Sequence, residues 1–274
     1  PSQFHLLKRI FSYCLSFHLY LLHCITLPRF KIQIQYDGSA YHGWQRQKSD
    51  RSIQEVLEGV LTTLSKGEKI NIIGSGRTDS GVHALEQVAH FDWDTAMATC
   101  DIIHAMNGNL PGDIRINKCE VVPGDFHARF SAVKRHYIYH CRMDGYIMDR
   151  NSVWQTGALN LDQLNALGES LIGEHDFTSF SKYNPEVENR ICTLYLSEWS
   201  NDGGMVNYRV AANRFLHHMV RYLVGTMVNV TKNKMSKTEF ETLLNNPRED
   251  VQVFRSPAQG LFLEKVEYAG ADIF

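Results

Sequence analysis

The chain has 274 residues, 43% hydrophobic and 21% charged, with 28 basic and 30 acidic residues and a net charge of −2. That length supports a sizeable core in one large or two medium domains. Six cysteines, at 14, 24, 100, 119, 141 and 192, include no C-x-x-C pair; this argues against a zinc site and a disulfide framework and suits a reducing compartment.

Residues 1–28 stand apart. Lys8-Arg9 precedes an uncharged run from Ile10 to Leu27, but no small-residue cleavage site follows. His18, His23, Cys14 and Cys24 weaken a membrane-span reading. The segment is read as an extension outside the folded unit, with a targeting segment as the alternative. From Phe30 to Tyr36, apolar residues alternate with Lys31, Gln33 and Gln35, which predicts a half-buried strand. Ser52-Ile53-Gln54-Glu55 reads as a capping box. It opens a helix whose Ile53, Val56, Leu57, Val60, Leu61 and Leu64 form one apolar stripe. Strands are expected at 70–74, 86–92 and 113–122, and a helix at 95–107. The first half therefore reads β-α-β-β-α-β.

The second half repeats that order. A strand is expected at 132–143 and a helix at 161–172. Residues 191–199 and 205–212 read as a hairpin across Asn201-Asp202-Gly203-Gly204. Then come a long helix at 214–230, a short one capped by Ser236 and Glu239, and a closing strand at 261–268. The fold class is α+β: two ferredoxin-like (βαββαβ) subdomains, 29–125 and 126–274, joined in an extended mixed sheet with helices on one face.

The densest chemical signal is Gly-Ser-Gly-Arg-Thr-Asp-Ser-Gly-Val-His-Ala at 74–84. Its glycines allow a tight bend and close approach of a ligand, with Arg77 and Asp79 at the centre. Gly-Lys-Ser/Thr is absent, so the run is not a P-loop, and it does not open a helix as a dinucleotide fingerprint would. Thirteen histidines include no H-E-x-x-H. His217 and His218, if helical, point about 100° apart and make a poor metal pair. Arg129, Lys134, Arg135 and Arg142 form one basic cluster; Arg209, Arg214 and Arg221 form another. Such local patches are what RNA phosphates require, whatever the overall charge.

The run at 74–84 closely resembles the active-site loop of the tRNA pseudouridine synthase A (TruA) family. Other segments are similar to that family in the same order: Tyr36-Asp37-Gly38 with Tyr41–Gln47, Ser52-Ile53-Gln54, Phe126–Ala132 with Arg135, Tyr137 and Tyr139, Asn213–Arg221 with Gly225, and Pro257–Leu261. The resemblance implies isomerisation of uridine to pseudouridine in the tRNA anticodon stem-loop, at about positions 38 to 40, after the base leaves the stack. It implies Asp79 as the catalytic residue, Arg77 as the residue that engages the flipped nucleotide, and Tyr137 as the active-site aromatic. Arg221 is implied as the helix-borne partner of the aspartate, and Phe126, His127, Ala128, Arg129 and Phe130 as an RNA-contacting segment. A cytoplasmic homodimer with no membrane association, no cofactor and no metal is the accompanying expectation. Two other readings stay open at this level: a non-catalytic RNA-binding module of the same fold, and a nucleotide-binding protein whose glycine loop holds a phosphate.

Overall fold

The structure, a computed structural model, describes residues 27–251 and 253–270. The expected N-terminal extension lies, up to residue 26, outside the described residues. Among the described residues no helix is long and apolar enough to cross a membrane.

The first half runs β1 (Arg29–Tyr36), α1 (Ile53–Leu64), β2 (Ile73–Gly74), β3 (His83–Asp92), α2 (Thr99–Asn109) and β4 (Ile114–Val122). The second half runs β5 (Ala132–Arg142), β6 (Trp154–Gln155), α3 (Leu161–Glu169), β7 (Gly173–Asp176), β8 (Ile191–Asp202), β9 (Met205–Ala212), α4 (Met219–Thr231), α5 (Lys237–Asn245) and β10 (Leu261–Tyr268). All ten strands belong to one mixed sheet with the path β4-β1-β3-β10-β5-β9-β8-β7. β2 pairs with β3, and β6 with β5. Each half thus sets its four main strands in the ferredoxin-like order: β4-β1-β3-β2, then β10-β5-β9-β8. The halves join where β10 runs parallel to β3, Phe262 opposite His83 and Leu263 opposite Ala84. The glycine loop leads into β3 at that seam.

Local signals explain the elements. Ser52 accepts the Glu55 amide at 3.3 Å, one half of the expected box. Ser236 and Glu239 complete theirs in both directions. The stripe of α1 buries Ile53, Leu57, Val60 and Leu61 in the core. β1 departs from the half-buried reading: Lys31 and Gln33 are only 3% and 4% exposed. β1 lies between β3 and β4, and its polar face is covered at Lys31 and Gln33 but exposed at Gln35. The Lys31 ammonium pairs with Glu120 at 2.8 Å and lies over the Phe126 and Tyr268 rings. A buried charge is tolerable because it is paired.

The expected helix at 214–230 begins only at Met219. Asn213 accepts the Thr193 and Arg214 amides, and His218 has φ +63°, so the chain turns before the helix starts. Further along α4, a Cβ on Gly225 would collide with the Phe254 carbonyl, so the helix rides directly on the irregular segment 254–256. Gly225→Ala is expected to cost about 1–3 kcal/mol, as overpacking does. A lowered urea midpoint with an unchanged slope would show it; an unchanged midpoint would show that this contact is loose.

Candidate active site

The loop at 74–84 is locked from below. The Ser75 amide donates to the Val88 carbonyl at 2.7 Å, and the Ser75 hydroxyl to Gln87 at 2.6 Å. Gln87 returns a bond to the Gly76 carbonyl at 3.0 Å. From the other side the segment 36–44 grips Thr78: its carbonyl accepts the Trp44 amide at 3.1 Å, and its hydroxyl bonds the Tyr36 phenol at 2.8 Å. Gly43, at φ +88°, sits so close that a Cβ would lie 2.5 Å from the Thr78 carbonyl oxygen. Two sequence motifs 30 or more residues apart therefore form one rigid platform, with Asp79 next to its fixed point.

Asp79 is mostly buried, with 16% of its side chain exposed. Its Oδ2 accepts two N–H donors: His218 Nδ1 at 2.6 Å and Arg221 Nη1 at 3.0 Å. Its Oδ1 faces His217 Nε2 at 3.7 Å, beyond hydrogen-bond range. Burial pushes the Asp79 carboxyl up, but the hydrogen bonds from His218 and Arg221, together with the Arg221 charge, outweigh it and hold the group below the ordinary 3.8. The carboxylate is ionised at neutral pH. Arg221 is itself clamped: Nε donates to the Ser256 carbonyl at 2.9 Å, and Ser256 donates its amide to the Arg221 carbonyl at 2.9 Å. Arg221 is 8% exposed, so it belongs to a buried pair rather than to a solvated face.

Nothing in the sequence marks His218 for this role. As a helical residue it would point away from its neighbour. Instead it precedes the helix in a left-handed conformation, which costs a non-glycine residue about 1–2 kcal/mol, and its ring lies tilted against that of His217, centroids 3.9 Å apart. Asp79, His217 and His218 bring one possible metal-ligand atom each within 4.8 Å of one another, so the two histidines are not the poor pair expected. The guanidinium groups of Arg221 and Arg255 press against the same side chains and oppose a divalent cation there.

Tyr137 lies on β5, 9% exposed, edge-on to Phe215 at 5.0 Å. Burial, reinforced by Tyr36 and the Asp79 carboxylate, pushes its phenol far above the ordinary value and keeps it protonated. Arg77 is exposed on the loop two residues before Asp79. In the segment 126–130 the five side chains divide. Ala128 is fully buried, its amide donating to His90, and Phe126 packs on Tyr268 at 5.1 Å. The outer surface is made by Arg129, by Phe130 at 76% exposure, and by His127 beneath it at 4.4 Å.

Much of the expected basic surface is already engaged. Arg142 pairs with Asp144 and Asp149, and Arg209 with Glu264. Arg135 holds four carbonyls, those of Arg129 at 2.6 Å, Asn213 at 2.9 Å, Ala132 at 3.1 Å and Ser75 at 3.2 Å. It ties the glycine loop, the segment 126–130 and the approach to α4 together. Arg135→Ala is therefore expected to destabilise the protein by about 2 kcal/mol, the range for a charged donor removed from partly buried acceptors, rather than chiefly to weaken RNA binding. Thermal melting checks this; an unchanged melting temperature with reduced affinity would restore the phosphate-contact reading.

The family described as tRNA pseudouridine synthase matches residues 32–131 and 168–269. The tRNA pseudouridine synthase A of Chlorobaculum tepidum is 40% identical over 240 residues, covering 87% of this chain and 97% of its own. Its counterpart in Bacillus licheniformis is 37% identical over 244 residues, covering 88% and 99%. That of Maricaulis maris is 38% identical over 248 residues, covering 89% and 99%. With matches in both halves and across nearly the full length of these relatives, the chain belongs to the tRNA pseudouridine synthase family.

Proposed function

We propose that this protein isomerises uridine to pseudouridine in the anticodon stem-loop of tRNA, at about positions 38 to 40, with Asp79 as the reacting group on a base flipped out of the stack. The observation that carries the reading is the ionised Asp79 carboxylate, anchored by two hydrogen bonds through one oxygen while the other faces His217 at 3.7 Å. In the reaction the N1–C1′ bond of uridine breaks and a C1′–C5 bond forms. The C5 proton leaves to solvent and N1 takes up a proton. An ionised carboxylate serves either route, attack on C1′ or removal of the C2′ proton. Tyr137, held protonated, stacks on the base or donates a hydrogen bond; it does not act as a base in the free protein. Arg129 and Phe130 supply a charge and an exposed ring for RNA. A homodimer, and a division of the fold near residues 125–126, complete the proposal; β4 ends at Val122 and β5 begins at Ala132.

A non-catalytic binding module would have no use for a buried, ionised carboxylate whose orientation is fixed by two donors. The experiment is direct: incubate the protein with unmodified tRNA and map pseudouridine by carbodiimide labelling and primer extension. Modification at about positions 38 to 40 in the anticodon arm is expected; modification confined to another arm would overturn the target.

Arg77 gives a separable test. One exposed arginine among several phosphate contacts adds little to total affinity, whereas a role at the flipped nucleotide is realised only after the base leaves the stack. Arg77→Ala is expected to lower the single-turnover rate by about 10²-fold while changing the tRNA dissociation constant less than about threefold. Equal losses in rate and affinity would make Arg77 a phosphate anchor.

A further inference from the structure

His218 is bonded at both ends of its ring. Nδ1 lies 2.6 Å from Asp79 Oδ2, and Nε2 lies 3.0 Å from Arg255 Nη1. A guanidinium has only donors, so Nε2 must be the acceptor in that contact, and the ring proton sits on Nδ1, where it donates to the carboxylate. Arg255 thereby selects one neutral tautomer of His218. The backbone agrees with a fixed ring: His218 holds a left-handed φ of +63° at the start of α4 without using its side chain to cap the helix. Strain of this kind persists only where the surroundings over-determine it.

We propose that His218 is a positioning residue for Asp79, locked in its Nδ1–H tautomer by Arg255. With His218 and Arg221 both on Oδ2, the carboxylate cannot rotate without breaking two bonds. Oδ1 is then the oxygen presented to the substrate ribose, with the exposed His217 ring 3.7 Å from it. The proposal rests on Asp79 being the reacting group, but its first test does not depend on activity.

Nitrogen-15 histidine spectra at neutral pH, with His218 assigned from its loss in His218→Ala, should show a protonated Nδ1 and an unprotonated Nε2. A doubly protonated ring or the Nε2–H tautomer would overturn the lock. In Arg255→Met, whose side chain is exposed and outside the core, the single tautomer should give way to a mixture; an unchanged spectrum would remove Arg255 from the account. In kinetics, His218→Ala should lower the single-turnover rate by about 10²-fold, as misplacement of a reacting group does, with tRNA affinity within about twofold. His218→Asn should recover most of the loss, because its amide can donate from nearly the Nδ1 position and asparagine tolerates the left-handed backbone. If His218→Asn is as slow as His218→Ala while both melt like the wild type, or if His218→Ala is within twofold of the wild type, the positioning role fails. A wild-type protein with the expected tautomer but no turnover would instead count against the proposed function.

Discussion

Asp79→Asn is expected to lower the single-turnover rate at least about 10²–10⁴-fold, the loss that follows removal of a proton-transfer or covalent step, while folding and tRNA binding survive. The two effects separate because of how the residue is held. The amide oxygen of asparagine can still accept from His218 Nδ1 and Arg221 Nη1, so the loop keeps its shape. What disappears is the negative charge, and with it both attack on C1′ and abstraction at C2′. Gel filtration and circular dichroism should match the wild type, and tRNA binding should be within a few-fold. Turnover within tenfold of the wild type would remove Asp79 from the chemistry.

The second large effect is expected at Arg221. Replacing it by methionine keeps bulk and removes the cation from a carboxylate that is otherwise desolvated. Breaking a buried pair from one side costs about 3–5 kcal/mol, so Arg221→Met should melt well below the wild type. It should also change the pH profile. In the wild type the Asp79 carboxyl titrates below 3.8, so activity that needs the carboxylate persists down to the ordinary carboxylate range. The stability from this depressed group is present above its unfolded value and is lost as pH falls through the lower folded one. Without Arg221 burial is opposed by His218 alone, the carboxyl rises, and the acid limb of activity should move to higher pH. Arg221→Lys should fall between, since a point charge cannot hold both Asp79 and the Ser256 carbonyl as the guanidinium does. An acid limb that does not move in Arg221→Met would mean that the guanidinium does not set the carboxylate's charge state.

The architecture was largely legible because its signals are local. The closing strand expected at 261–268 is β10 to the residue, and Ser236 with Glu239 marks the start of α5. The capping residue and apolar stripe of Ile53–Leu64 likewise define α1. What failed depends on tertiary context. Lys31 and Gln33 look like a solvent face, yet both are buried, with the Phe126 and Tyr268 rings under the Lys31 ammonium. Arg135 looks like a phosphate contact, yet four carbonyls converge on it, those of Ser75 and Asn213 from distant segments. The short strands β6 and β7 carry too few residues to show a period.

The site shows the same division. Asp79, Arg77, Tyr137 and Arg221 come from motifs that mark their positions; Arg221 contacts the carboxylate, Tyr137 lies within its electrostatic reach, and Arg77 is exposed on the loop. His218 was hidden because Leu216, Met219 and Leu223 continue a helical period straight through it, and nothing in the string marks a left-handed turn at a non-glycine residue. Arg255 lies 37 residues further on, in an irregular stretch before β10, where only the fold brings it to the histidine.

Tritium release tests the central claim most directly. Transfer RNA made with uridine tritiated at C5 loses that label to water only if the C5 position is opened for a new bond to C1′. The wild-type protein is expected to release tritium in proportion to the pseudouridine formed, and Asp79→Asn to release none above background. No release by a folded wild-type protein that binds the same tRNA, or release by Asp79→Asn at the wild-type rate, would contradict it.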